Sequence, residues 1–221
     1  MATFERTTQV LVLGAGPGGY AAAFMAADLG MEVTVVNREA NPGGVCLYRG
    51  CIPSKALLHA AKVINEAKEA EHYGVTFGAP QIDFDKLRGW KTSVVEKLTG
   101  GLGTMTRQRK ITYLQGEGRL RDAHTLEATL QNGDTGVVKF DKAILATGSR
   151  PILPPMFNIG SSRVWDSTGG LDMEELPKRL LVVGGGYIGL ELGSVYAALG
   201  SQVTVVEATS GLLPGADRDL V

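Results

Sequence analysis

Two sulfurs carry the chemistry of this chain. Cys46 and Cys51 are the only cysteines among its 221 residues, and they lie in the stretch Gly43-Gly44-Val45-Cys46-Leu47-Tyr48-Arg49-Gly50-Cys51-Ile52-Pro53-Ser54-Lys55. Their spacing suits a small disulfide loop. Thiol–disulfide exchange needs one attackable sulfur and one good leaving group, and two cysteines in different surroundings supply both. A helix starting near Ile52 would turn its positive end toward Cys51 and favour a thiolate there. In a reducing compartment, a close pair is more often catalytic or metal-binding than structural. Zinc fits poorly, because a structural site takes four ligands and no further cysteine exists. The expectation is a redox-active pair and no metal, against the plainer alternative of an inert structural pair.

The elements that must position these sulfurs begin upstream. Gln9 to Leu13 is a short apolar run ending in glycine, the mark of a buried parallel strand. Gly14, Gly16 and Gly19 then supply a tight turn, a close backbone approach to a pyrophosphate, and close helix–strand packing. An alanine-rich helix from Gly18 to Leu29 stops at Gly30, and a strand is expected over Glu32 to Val36. Strand, glycine loop, helix and strand together make a dinucleotide-binding unit. An acid that holds the ribose hydroxyls is expected about 20 residues beyond the first glycine. That position is Asn37, followed by Arg38. An amide still donates and accepts toward a diol, but it lacks the charge that repels a phosphorylated ribose.

The unit recurs. Gly14, Gly16 and Gly19 fall on Gly184, Gly186 and Gly189 without a gap, Leu29-Gly30 on Leu199-Gly200, and Val33 to Val36 on Val203 to Val206. Asn37 falls on Glu207, whose charge suits an unphosphorylated adenosine ribose and opposes a 2′-phosphate. The second site therefore reads as one for NAD in preference to NADP.

Between the repeats, Pro53 suits the first turn of a helix, and Lys55 to Tyr73 is expected to be helical with Gly74 as its stop. A second helix is expected from Asp83 to Arg109, capped by Asp83 or Asp85, with Gly100, Gly101 and Gly103 weakening its continuity. Its basic end, Arg107, Arg109 and Lys110, complements the helix dipole. Short strands follow at Ile111 to Leu114, Thr125 to Leu130 and Val137 to Phe140, with Asn132-Gly133 as a hairpin signal. Lys142 to Ala146 reads as another buried strand, and Pro151 to Pro155 as the exit from a first domain. The division expected is 1–150 and 151–221.

Composition narrows the classes. A net charge of −1 gives no electrostatic case for nucleic acid or an anionic membrane surface. No apolar run is long enough to span a bilayer, and Met1 to Gln9 has no signal-peptide core. A cytoplasmic protein is the expectation.

Taken together, Gly14 to Gly19, Gly43 to Lys55, Ala146-Thr147-Gly148 and Gly184-Gly185-Gly186-Tyr187-Ile188-Gly189-Leu190-Glu191 resemble the N-terminal half of the flavin-dependent pyridine nucleotide-disulfide oxidoreductases. Ile52-Pro53-Ser54-Lys55 resembles the dihydrolipoyl dehydrogenase branch more than the glutathione branch. The resemblance implies an α/β fold: an FAD/NAD(P)-binding Rossmann-like doubly wound parallel sheet with a β-meander, followed by the start of a second Rossmann-like unit. It implies FAD on the first unit, at Gly14, Gly16, Gly19, Asn37, Arg38, Gly44, Val45, Lys55, Gly118 and Thr147-Gly148-Ser149. It implies NAD on the second, at Gly184, Gly186, Gly189 and Glu207.

Cys46 would be the sulfur attacked by dihydrolipoamide and Cys51 the thiolate against the flavin. Lys55 would lie near the flavin ring, paired with Glu191. The implied partner is the lipoyl-bearing protein of a 2-oxo acid dehydrogenase complex or a glycine cleavage system, and the implied parent enzyme is a homodimer. The resemblance further implies that the NAD-binding domain is cut short at Val221, and that the C-terminal interface domain, with a His–Glu pair, is absent. His59, His72 and His124 stand in no matching context and are expected to be structural or surface residues. The alternatives are a sibling reductase of mercuric or glutathione type and a non-catalytic nucleotide-binding fragment.

Overall fold

Residues 3–221 are described by a computed structural model, and they divide into two compact units. One takes in the chain up to Tyr48 together with Val95–Arg150; the other takes in Arg49–Val94 and Pro151–Val221.

In the first unit, β1 (Thr3–Leu13) pairs in parallel with β2 (Val33–Asn37) on one side and β5 (Thr135–Leu145) on the other. The near-continuous apolar runs of β1 and β2 are what a layer covered on both faces requires. Side chains alternate between those faces. Val10, Val12, Val33 and Val35 pack against Ala23, Phe24 and Ala26 of α1 (Pro17–Asp28). Leu11 and Val36 turn the other way, onto Leu126, Ala128, Val138 and Phe140. Each such side chain, fully buried, contributes roughly 1.5–3 kcal/mol.

The second face is covered by the meander. β3 (Thr112–Asp122) starts beside β2 in parallel, then pairs antiparallel with β4 (Thr125–Leu130), which pairs antiparallel with β5. The pairings thus close into a ring of five strands. The expected strands Val137 to Phe140 and Lys142 to Ala146 are one strand, because the ladder to β1 continues from Thr135 opposite Thr3 to Leu145 opposite Leu13. The expected burial of Lys142 to Ala146 is corrected. Leu145 is 60% exposed, since beyond Lys139 the far side of β5 has no strand against it among the described residues. β1 is also longer than expected, its first residues being drawn into the ladder with Thr135 to Phe140.

The expected helix over Lys55 to Tyr73 starts earlier: α3 spans Cys51–Glu69, preceded by the short α2 (Gly44–Arg49). A 3-10 turn, Ala70–Tyr73, ends at Gly74, whose φ of 80° is the left-handed cap that glycine adopts without strain. α4 (Phe84–Gln108) runs through its three late glycines without a break. At Gly103 the missing side chain admits Asn41, whose amide oxygen occupies the space a Cβ would need. At that one position, packing thereby offsets a propensity cost of about 1 kcal/mol. Asp83 is the capping acid, accepting from the Lys86 N–H at 3.0 Å.

In the second unit, β6 (Arg179–Val183) and β7 (Gln202–Val206) are parallel, joined by α6 (Tyr187–Ala198). Its core is helical: Leu57 and Ala61 of α3 meet Val195 and Ala198 of α6, Leu199 beyond it, and Leu171 of α5 (Ser167–Asp172) with the adjoining Met173. No helix among the described residues is long and apolar enough to cross a membrane.

Candidate functional site

The first glycine loop is built by steric exclusion. Gly14 holds φ 94°, its N–H donates to Val36 O at 2.9 Å, and a Cβ on it would collide with the Ala146 carbonyl. Gly19 lies on the Gly14 carbonyl, where any side chain would clash. Gly16 is the N-cap of α1 in extended conformation, without a side-chain cap, followed by Pro17 at the start of the helix. The unfilled first turn of α1 therefore offers backbone N–H groups and the positive helix end to an anion. Gly44, φ 60°, backs onto Gly16, and a Cβ there would lie 2.5 Å from the Gly16 Cα. Thr147 joins the same cradle, 3.1 Å from the position of a Gly14 Cβ, with Gly148 in a left-handed turn beside it. This glycine-lined cradle before a helix start fits a dinucleotide pyrophosphate.

Asn37, at the end of β2, closes the cradle. Its Oδ1 accepts from the Ala15 N–H at 3.1 Å, and its Nδ2 donates to the Tyr113 hydroxyl at 3.0 Å. Arg38 points outward to Glu117, at 3.0 Å, and Gln115 donates to its carbonyl. Gly118 is on β3, where a side chain would meet Leu126 and Leu13; packing between the meander and β1 accounts for that glycine.

The second loop repeats the backbone pattern of the first, without the crowding around its first glycine. Gly184 holds φ 107° and donates to Val206 O at 2.8 Å; Gly186 caps α6 in extended conformation; and a Cβ on Gly189 would lie 2.5 Å from Gly184 O. Glu207 takes the place of Asn37. Its two oxygens accept from the Gly185 N–H at 2.6 Å and the Thr209 N–H at 2.7 Å. These backbone donors, Thr209 first, pull its pKa down to about 2, so the carboxylate is charged throughout the neutral range.

Cys46 lies within α2, half-buried, and Val45 precedes it. Cys51 is exposed and is the first residue of α3, following the N-cap Gly50. Ser54 Oγ donates to the Cys51 carbonyl at 3.1 Å and Pro53 is buried, so the start of α3 is held firmly. One turn on, Lys55 Nζ meets Glu191 of α6 at 2.5 Å. With the lysine side chain 58% exposed, this pair is worth about 0–1 kcal/mol, which makes it a positional device more than a stabilising one.

The histidines are engaged elsewhere: His59 lies against the Trp90 ring, and His124 Nδ1 hydrogen-bonds the Phe140 carbonyl. His72 is in the 3-10 turn after α3. Tyr113 and Thr209 escape the sequence reading. Tyr113 reaches Asn37 only through the β2–β3 register, and Thr209 acts through its backbone, so neither leaves a sequence signal.

Comparison with known proteins gives these loops a family. Residues 8–220 match the family model described as pyridine nucleotide-disulphide oxidoreductase. The chain is 54% identical over 217 residues to the dihydrolipoyl dehydrogenase of Haemophilus influenzae, covering 98% of this chain and 45% of the relative. It is 47% identical over 218 residues to the dihydrolipoyl dehydrogenase of Geobacillus stearothermophilus, covering 98% and 46% respectively. Among solved structures, the HOCl-induced flavoprotein disulfide reductase RclA of Escherichia coli superimposes with a TM-score of 0.79 at 31% identity, over 96% of this chain and 44% of that one. The chain thus spans less than half the length of the relatives it matches. Its paired glycine loops, its α/β fold with a meander and this match over nearly its full length show that it belongs to the pyridine nucleotide-disulphide oxidoreductase family.

Proposed function

We propose that the chain is the nucleotide-binding part of a dihydrolipoyl dehydrogenase. The observation that carries the reading is the Cys46–Cys51 stretch directly after a glycine cradle whose first-turn glycine, Gly16, is backed by Gly44. Residues 1–150 would provide the FAD-binding part, through the Gly14 loop, Asn37, Gly44, Val45 and Thr147 to Ser149. Residues 151–221 would begin the NAD-binding part, through the Gly184 loop and Glu207.

In the proposed reaction, one thiolate of dihydrolipoamide attacks Cys46 of the oxidised Cys46–Cys51 disulfide, releasing Cys51 as thiolate. The second substrate thiol then displaces Cys46, leaving lipoamide and two protein thiols. Bound FAD would supply the two-electron relay that reoxidises the thiols and delivers hydride to NAD+. Lys55 would place a cation near the Cys51 end of α3, held in direction by Glu191. The charge of Glu207 favours NAD over NADP, which separates this reading from a mercuric or glutathione reductase using NADPH. The substrate would be presented on the lipoyl-bearing protein of a 2-oxo acid dehydrogenase complex or glycine cleavage system, to a cytoplasmic homodimer.

The test is reconstitution of the purified chain with FAD, followed by absorbance spectra of Cys46→Ser and Cys51→Ser. The Cys46 variant is expected to develop a long-wavelength band that the Cys51 variant lacks. Equal spectra for the two would sink the assignment of roles, and failure to retain flavin would sink the cofactor site.

A further inference from the structure

Asn37 stands where an acid is expected, and its surroundings show what the amide does there. Four groups form one chain of hydrogen bonds: Ala15 N–H to Asn37 Oδ1 at 3.1 Å, Asn37 Nδ2 to Tyr113 Oη at 3.0 Å, and Tyr113 O–H to the Glu39 carbonyl at 2.9 Å. The polarity of the chain is fixed at both ends. A backbone N–H only donates and a backbone carbonyl only accepts. The single hydroxyl proton of Tyr113 is taken by Glu39, so at residue 37 the phenol must accept, and the group facing it must be a donor. Only an amide offers an oxygen to Ala15 and an N–H to Tyr113 at once.

A carboxylate at position 37 would present oxygen to oxygen. Tyr113 would then have to donate to it and abandon the Glu39 carbonyl. Tyr113 is largely buried, which raises its phenol pKa and keeps it a neutral hydroxyl. The second loop has no such constraint: Glu207 faces two backbone N–H groups, both satisfied by a carboxylate.

We propose that Tyr113 is a positioning residue of the first nucleotide site: it locks residue 37 as an amide, so that this site contacts the ribose of an adenosine diphosphate compound without charge and accepts it with or without a phosphate on the ribose 2′ oxygen. After its two bonds, Asn37 retains one N–H and one lone pair, the complement of a hydroxyl. The cation beside it, Arg38, pairs with Glu117 through side chains 78% and 67% accessible, a contact weak enough to be exchanged for a phosphate. Glu117 is the carboxylate that opposes this, and its release from Arg38 is part of the exchange.

The inference rests on the proposed reading only in taking the Gly14 loop as the adenine-nucleotide site, and the experiment separates the two. FAD is bound to the chain, and its displacement by ADP and by adenosine 2′-phosphate 5′-diphosphate is followed through flavin fluorescence. Wild type is expected to bind both displacers within about threefold of each other, and Asn37→Asp to weaken the 2′-phosphorylated compound selectively by about tenfold. The neutral control Asn37→Ala is expected to weaken both alike. Tyr113→Phe is expected to shrink the extra cost of Asn37→Asp on FAD affinity, because the proton conflict is gone. It should also speed hydrogen exchange at the Ala15 amide, a readout independent of any ligand. Failure to bind FAD and ADP would remove the nucleotide site itself. Retained binding with no change in discrimination, or with additive effects of the two substitutions, would overturn the role of Tyr113.

Discussion

Two side chains at equivalent positions, Asn37 and Glu207, do the same mechanical work with different charge. Each ties the residue after the first loop glycine to the end of the following strand. Glu207 keeps its proton affinity low because both its oxygens are bound to backbone donors, so it is charged at neutral pH. Its ties are fully present above the ordinary carboxylate value of 4.5 and are lost as the pH falls from there through about 2. At neutral pH only the ligand's charge changes: a 2′-phosphate gains its second charge near pH 6. Preference for NADH over NADPH at the second site is therefore expected to deepen as the pH rises through about 6. Glu207→Gln should reduce that preference about tenfold. Titrating the two nucleotides against both forms at pH 5 and 8 checks this, and a pH-independent preference would refute it.

At the scale of elements, the short helix α5 shows how much side-chain support one turn and a half of helix needs. Asp166 caps its start, accepting from the Thr168 and Gly169 N–H groups. At its end, three donors from longer helices take up carbonyls: Tyr196 that of Gly170 at 2.9 Å, Lys91 that of Leu171 at 2.7 Å, and Arg88 that of Met173 at 3.4 Å. Tyr196 is 1% exposed, so Tyr196→Phe should leave a buried carbonyl without its donor and cost about 1–3 kcal/mol, read as a lowered denaturant midpoint. No loss of stability would mean that water replaces the phenol.

None of this support was legible in the sequence, where Lys91 and Tyr196 look like ordinary members of amphipathic helices. What was legible was local: glycines at fixed offsets gave both loops and both α1 and α6, and Gly74 gave a helix end. The continuity of α4 was not, because the reason for Gly103 is Asn41, far away in the chain. Tyr113 was hidden for the same reason, since only the pairing of Val35 with Tyr113 brings it beside β2.

Across the whole molecule, the two repeats share a loop but not the same protection. β1 is paired on both sides and its Leu11 and Val12 are wholly buried. β6 and β7 pair only with each other among the described residues, and Leu181 and Val183 are 61% and 56% exposed. Amides of β1 and β2 are therefore expected to exchange at least about tenfold more slowly than those of β6 and β7. Exchange mass spectrometry of the purified chain measures this directly, and equal protection would contradict the difference. Here composition misled at one place: Lys142 to Ala146 has the sequence of a buried strand but lies along an edge.

β5 also works as a yardstick. Its first half belongs to the meander and its second half runs beside β1 to Ala146, whose N–H donates to Leu13 O next to Gly14. Deleting a single residue near Asp141 would turn Ala143, Ile144 and Leu145 over to the opposite faces and draw Thr147 away from the Gly14 loop. At Asn132-Gly133 the turn closes on itself through Leu130 and Asp134, and added length there moves nothing downstream. An insertion at the hairpin tip is thus expected to leave the first loop intact, whereas the span from there to Thr147 admits no change of residue count without moving it.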